Sequence, residues 1–456
     1  MRFVTALKSK FFKDMATLQA GSMLTSVGSL CSTILLAFIL GAREQGTYFA
    51  SIALFSLISL LLSSGIGAAT VSQVSAAHAR GNVAKAAGWL AFQVKASFIV
   101  SAGVCIVGYW LYPWIAGLEL MGGNERIGVL AWWITAMPLL DLPRAAAISA
   151  FQASRRMLPL AQTENAHEAM RVFLVTIGAV VTGSAEGAIV GMLIASLLSS
   201  LLALEMYRLT RKGGESGLPS IAAVLSRLRD VPVREGVPLG FRLGLLRCTD
   251  AIGVQIMPIL IINAIAGSEV VAYTKTAQRI MSLPVMLTAG VSRTLFPVMY
   301  RYAGLKDVIR FKQAFLRATL IGGGLTSVAI LLELPFVYSV VGMFWPPKYV
   351  EPVALLAPII ALGNVVLSFG LGIDAFHVVA GTTKWPVRIN VVAIPITALL
   401  TVWLCRNYAL TGGAWGISIT TSWVLFQYCF LFFVYRRFTS LGEPVAPRQV
   451  ASGAAS

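Results

Sequence analysis

The sequence predicts an all-α, polytopic membrane protein of about twelve transmembrane helices, arranged as two six-helix lobes related by a parallel repeat. Three observations predict it. Apolar residues make up 57% of the 456-residue chain and charged residues 12%, about half the charged share of soluble domains, and mean hydropathy is +0.79. Apolar runs long enough to cross a bilayer recur along the whole chain, each meeting the requirement of about 20 residues. The basic residues gather in alternate connections between those runs, the pattern that cytoplasmic loops impose.

Taken in order, residues 1–17 place Arg2, Lys8, Lys10 and Lys13 among Phe3, Leu7, Phe11 and Phe12. That composition suits an amphipathic segment lying on the inner membrane surface. The run at 18–40 is too long for the h-region of a cleaved signal, which spans roughly 7–15 residues, so it is expected to remain as the first span. Further runs lie near 46–74, 88–112, 128–152, 166–183 and 186–207, completing an N-lobe at 18–207. After a hydrophilic linker at 208–237, runs near 238–265, 270–298, 314–342, 353–378, 386–405 and 412–435 form a C-lobe at 238–437. Residues 438–456, with Pro444, Pro447 and many small residues, read as a disordered cytoplasmic tail.

Orientation follows from charge. With the N-terminus cytoplasmic, the inside loops carry Arg80 and Lys85, Arg155 and Arg156, the basic linker, Arg301 to Arg317, Lys384 and Arg388, and Arg436 and Arg437. The outside loops hold Arg43, Arg126, Lys348 and Arg406. Both termini are therefore expected in the cytoplasm. The formal charge of +17, which on a soluble protein would suggest nucleic acid, reads here as topology, and no nucleic-acid partner is expected. Cys31, Cys105, Cys248, Cys405 and Cys429 all fall in apolar stretches without metal-ligand spacing, and read as small core residues.

The halves resemble one another at a shift of 225 residues, which maps Glu44 onto Glu269, Tyr48 onto Tyr273, Gly65 onto Gly290, Asn165 onto Asn390, Gly187 onto Gly412 and Gly191 onto Gly416. The matches fall at helix ends and turns. Six spans per half insert both copies the same way, so the pseudo-twofold axis lies along the membrane normal, with a cavity between the lobes.

The chain has no phosphate-binding P-loop, no HExxH, no Cys/His cluster and no GxSxG elbow, and its outside loops leave little room for a catalytic domain. It is expected to move something rather than transform it, with no metal and no cofactor. A coupling ion, H+ or Na+, is left open. The informative residues are charges inside the spans, which are expensive in lipid and usually face a cavity or a partner. Lys275 and Arg279 are one turn apart, and Arg293 follows Lys275 by 18 residues, about five turns, so all three share a face. The preceding span carries Arg242, Arg247 and Asp250, the last two spaced to pair. In the N-lobe, Arg144 follows Asp141 by three residues and Arg171 follows Glu168 by three, spacings that suit local pairs. The candidate binding set is Arg247, Lys275 and Arg279 facing the interlobe cavity, Asp250 orienting Arg247, with Arg293 and Arg144 completing it. Asp374 and His377, one turn apart, fit either ion coupling or a local hydrogen bond.

Gly41-Ala-Arg-Glu-Gln-Gly-Thr-Tyr48 after the first span, Gly267-Ser-Glu-Val-Val-Ala-Tyr273 at the corresponding place in the second half, Phe296-Pro297, Phe151-Gln152-Ala153 and Gly412-Gly-Ala-Trp-Gly416 together resemble the Wzx-type O-antigen and exopolysaccharide flippases. These belong to the multidrug/oligosaccharidyl-lipid/polysaccharide exporter superfamily. The resemblance spans residues 13–437. It implies a V-shaped, alternating-access bundle in the bacterial cytoplasmic membrane that moves an undecaprenyl-diphosphate-linked glycan from the inner to the outer leaflet, beside membrane lipids and polysaccharide polymerase machinery. The cations fit such a substrate, because Arg offers a charged fork to phosphate oxygens. Two alternatives stand beside it. A drug or cation antiporter of the same superfamily would want acids in the N-lobe cavity, yet the run at 18–40 carries no charge. A membrane glycan polymerase or ligase generally needs a large external loop, and none is present.

Overall fold

The computed structural model describes residues 10–117, 124–154, 156–212, 217–238, 240–241, 252–285, 307–370, 373, 376, 384–423, 425 and 427. Among these residues the regular structure is helical throughout. In lipid no water is available to backbone groups, so a helix, which satisfies them internally, is the natural spanning element.

The helix Lys10–Ala79 is two spans joined at Gly41, whose φ of 72° and ψ of 171° interrupt the helical path. We call its arms α1 (10–40) and α2 (42–79). The connection expected at 41–45 is thus a single-residue break. α3 is Val83–Ala116. The span expected at 128–152 is three pieces, α4 (Arg126–Ile134), α5 (Met137–Leu140) and α6 (Leu142–Ala153). Pro138 and Pro143 stand in the first turns of the second and third pieces, where a missing N–H costs nothing, whereas inside a continuous helix each would clash with the preceding turn. α7 (Met157–Thr182) begins well before the apolar run that predicted it, and turns at Gly183 into α8 (Ala185–Lys212).

The linker is not free of the bundle. Its short helix α9 is Ile221–Ser226, Leu218 is buried with Trp89, Phe92, Phe151 and Tyr207, and Lys95 donates to the Leu228 carbonyl at 3.0 Å. In the C-lobe, a π-helical turn at Ile252–Ile256 leads into α10 (Met257–Ala266), followed by α11 (Ser268–Met281), α12 (Val308–Glu333), α13 (Val337–Phe344) and α14 (Pro347–Ser368). The helix Lys384–Ser422 breaks at Ala409, giving α15 (384–408) and α16 (410–422). Six of the described helical stretches are long and apolar enough to cross a membrane. α7 carries Glu164, Glu168 and Arg171, and spans 26 residues, about 39 Å of axis.

The backbone breaks correct the ungapped repeat. Gly41 and Gly267 take positive φ 226 residues apart, and Gly183 and Ala409 do the same. The turns therefore sit one residue off the 225 register.

Among the described residues, two glycines of α2 bring the backbones of the lobes together. A Cβ on Gly46 would lie 1.6 Å from the Ser268 carbonyl oxygen, and one on Gly65 would lie 1.6 Å from that of Gly240. Only glycine permits such approach. The two contacts are 19 residues apart along one helix, about 28 Å, close to the ~30 Å hydrocarbon thickness. At the Gly46 end the seam is reinforced by the buried Tyr349 hydroxyl, which donates to Gln45 Oε1 at 2.7 Å, while Gln45 Nε2 donates to the Thr33 carbonyl at 2.8 Å.

Nearby, Arg126 binds Glu44 and Glu186 together, Nη1 to Glu44 Oε1 at 2.8 Å and Nη2 to Glu186 Oε1 at 2.6 Å, and the Ala185 amide donates to Glu44 Oε2 at 3.1 Å. The start of α2 is thereby tied to α4 and α8. The pairs are partly exposed, so Arg126→Ala is expected to cost about 1 kcal/mol, read as a lower melting temperature in detergent. Because one guanidinium serves both acids, combining it with Glu44→Gln should cost less than the sum of the two single changes. Strict additivity would mean that the clamp is idle.

Candidate binding cavity

Between the two α2 contacts lies a cavity of about 820 Å³, lined from both lobes. α1 contributes Ser29, Ser32 and Thr33, α2 contributes Tyr48, Phe49 and Ser56, α7 contributes Arg171, and the C-lobe contributes Lys275, Gln278, Arg279, Ser282, Asn364 and Thr421. Lys275 and Arg279 reach it because they share one face of α11, whose other face buries Tyr273, Ala277, Ile280 and Met281. Both cations, expected from the sequence to face an interlobe cavity, line this one.

Their partners matter more than their location. Lys275 Nζ donates to Gln278 Oε1 at 3.1 Å, a neutral acceptor on its own helix. No described carboxylate forms an ion pair with Lys275 or Arg279. Arg171 differs. Its Nε donates to Glu168 Oε2 at 2.8 Å and its Nη2 to Glu168 Oε1 at 2.5 Å. This local pair was expected from the spacing, but the approach of Arg171 to the cavity was not. Among the described residues the cavity region thus carries three cations against one carboxylate, a surplus of two positive charges. Tyr48 stands in the field of Arg171 and Arg279. Its hydroxyl lies beside the Arg171 guanidinium, and the buried Ser32 hydroxyl makes no hydrogen bond among the described residues. Buried hydroxyls without partners are costly, and in a cavity wall they are places for a ligand or water to bond.

Arg144 is a correction. It donates from Nε and Nη2 to both carboxylate oxygens of Asp141, and it does not line the cavity. At a spacing of three residues across the start of α6 its charge is paired within the N-lobe. Arg247, Asp250 and Arg293, and the Asp374/His377 pair, lie outside the described residues, as does Arg242. His167, on α7, bonds Ser199 on α8 through Nδ1 at 2.8 Å, a link between neighbouring helices of one lobe. Among the described residues no group of three His, Cys, Asp or Glu side chains gathers as a metal site would.

A cavity walled by both lobes of a helical membrane bundle invites comparison with known transporters. A family model described as "Polysaccharide biosynthesis protein" matches residues 11–303. The chain belongs to the polysaccharide biosynthesis protein family. A second model, MatE, matches residues 252–403. No curated protein sequence matches the chain. Among solved structures, the chain is similar to an inward-facing MATE family multidrug resistance transporter of the MOP superfamily, at 16% identity and TM-score 0.73, covering 93% of this chain and 98% of that one. It is similar to the lipid II flippase MurJ in an inward closed conformation, at 16% identity and TM-score 0.69, covering 91% and 87%. It is also similar to a MOP superfamily transporter from Pyrococcus furiosus, described as having a binding pocket of reverse polarity, at 16% identity and TM-score 0.66, covering 94% and 97%. At such identities the likeness is one of fold: a polysaccharide biosynthesis protein with about twelve spans in two six-helix lobes.

Proposed function

We propose that this polysaccharide biosynthesis protein is a flippase that carries an undecaprenyl-diphosphate-linked oligosaccharide from the inner to the outer leaflet of the bacterial cytoplasmic membrane by alternating access. The observation that carries the reading is the charge of the cavity among the described residues: Arg171, Lys275 and Arg279 against the Glu168 carboxylate. Unpaired cations inside a membrane bundle cost about 2.5–3.5 kcal/mol each even on the lenient insertion scale, and an anionic substrate compensates them. Arg forks suit phosphate oxygens, the hydroxyls of Ser32 and Tyr48 suit sugar hydroxyls or phosphate oxygens, and the polyprenyl tail stays in lipid. A cation exporter would be expected to carry the opposite surplus.

In this reading both termini and the linker are cytoplasmic, Gly46 lies at the outer end and Gly65 at the inner end of the pathway. Polymerase machinery would take the glycan on the far side. Arg247 with Asp250, and Arg293, remain proposed contributors to the diphosphate site. Asp374 and His377 remain proposed for coupling to H+ or Na+.

The test is complementation. In a strain lacking its own flippase, with the glycan assembled on the inner leaflet, the chain is expected to restore surface polysaccharide. In a strain lacking its drug exporters it is expected to leave sensitivity to lipophilic cations unchanged. The reverse pair of results would assign it to drug export.

A further inference from the structure

Any cation cavity open to a membrane meets an excess of ordinary phospholipid headgroups, whose phosphodiesters are monoanions. Glu168 offers a way to refuse them. It accepts two of the five N–H groups of Arg171, leaving the rest of the guanidinium to the cavity that Arg171 lines. The Glu168 side chain is nearly buried, at 11% exposure. It also borders a second hollow, of about 520 Å³ between α1 and α7, where Thr25 and Asn165 are polar neighbours among Leu24, Val172 and Phe173. A carboxylate that leaves Arg171 therefore has somewhere to go: rotation within α7 takes it toward the Asn165 amide, one turn away on the same helix face.

We infer that Glu168 is the internal anion of this cavity, holding Arg171 while the site is empty and yielding it to an incoming diphosphate. It thereby sets a charge threshold that favours diphosphate headgroups over monoanionic phosphodiesters. The inference rests on the reading of the cavity as a diphosphate site. A monoanion is left with Arg279 and Lys275, because it gains no more from the Arg171 fork than Glu168 already supplies and exchange there is not favoured. A diphosphate spreads at least two charges over Arg171, Arg279 and Lys275, and so gains attractions that the carboxylate alone cannot match. Glu168 is thus a specificity-determining residue, and its worth is what it excludes.

The measurement is binding of inorganic pyrophosphate and of dimethyl phosphate to the purified full-length protein in neutral detergent, by calorimetry. The wild-type chain is expected to bind pyrophosphate and to bind dimethyl phosphate weakly. Glu168→Gln, which keeps size and one acceptor, is expected to bind dimethyl phosphate at least about tenfold more tightly and so lose discrimination. Glu168→Asp keeps the charge and should keep the exclusion, which separates charge from a general disturbance of α7. If Arg279→Ala loses pyrophosphate while Glu168→Gln discriminates as the wild type does, the cavity reading stands and the role given to Glu168 is overturned. If Arg279→Ala binds pyrophosphate as the wild type does, the cavity reading itself fails.

Discussion

Arg279→Ala is expected to abolish surface-glycan export in a flippase-null strain while the protein inserts and accumulates normally. Truncating one member of a desolvated charged contact costs about 2–5 kcal/mol, or roughly thirtyfold and upward in affinity. Stability is expected to move the other way. Arg279 has no described carboxylate partner, so the empty protein bears the cost of its burial, and the Ala variant should melt no lower than the wild type in detergent. That combination, lost export with retained or improved melting, separates a ligand-binding cation from a structural one. Arg279→Lys should rescue in part, keeping the charge and losing the fork. Lys275→Ala should weaken export without abolishing it, since its nearest bond is to the neutral Gln278. Export at wild-type level by the Arg279→Ala, Lys275→Ala double variant, at normal abundance, would place the binding site elsewhere.

The second large effect concerns the glycine contacts that bracket the cavity. Gly46→Ala puts a methyl 1.6 Å from the Ser268 carbonyl oxygen, and Gly65→Ala does the same at Gly240. Backbone cannot step aside as a flexible side chain can, so each variant must hold its end of the seam apart. Alternating access requires each end to close in turn, and both variants are expected to lose transport. They should differ in what they expose. With Ser29, a buried cavity residue, changed to Cys in a background lacking the native cysteines, an impermeant thiol reagent applied outside intact cells should label Gly46→Ala faster than the parent. Gly65→Ala should be labelled faster from the cytoplasmic side of inverted vesicles. Gly88→Ala is the control, because a Cβ there meets nothing within 4 Å. Equal labelling of all three on both sides would mean that these contacts do not gate the cavity.

Much of this fold can be read from residues alone, because the membrane constrains composition and loop charge so strongly. The apolar runs locate helices whether or not their neighbours are known, and α11 shows its cation face through simple periodicity. The ends were less legible. α2 runs on to Ala79 and α7 starts at Met157, since helix does not stop where hydrophobicity does. The break at Gly41 replaces an expected loop, because one positive-φ residue suffices to turn the chain. Within the motif that carries the family resemblance, the jobs are now distinct: Glu44 joins the Arg126 clamp, Gly46 makes the close lobe contact, and Tyr48 lines the cavity.

Site reasoning failed where two identical local signals had different tertiary fates. Asp141/Arg144 and Glu168/Arg171 share a three-residue spacing and the same bidentate pairing. The first pair does not line the interlobe cavity, and the second presents its guanidinium to it. Spacing on one helix reports the partner but not what lies across the bundle. Arg144 was placed with the binding set and does not line the cavity, whereas Arg171, read only as a local pair, does.

The central claim is that the cavity carries a diphosphate-linked glycan across the bilayer. Purified protein reconstituted in liposomes with a fluorescent undecaprenyl-diphosphate oligosaccharide, its outer-leaflet pool quenched by a membrane-impermeant reagent, tests it directly. Transfer between leaflets should be accelerated by the wild-type chain and not by Arg279→Ala, and a lipophilic cation in the lumen should stay there. Unaccelerated glycan transfer, with the cation leaving through the same reconstituted protein, would contradict the account.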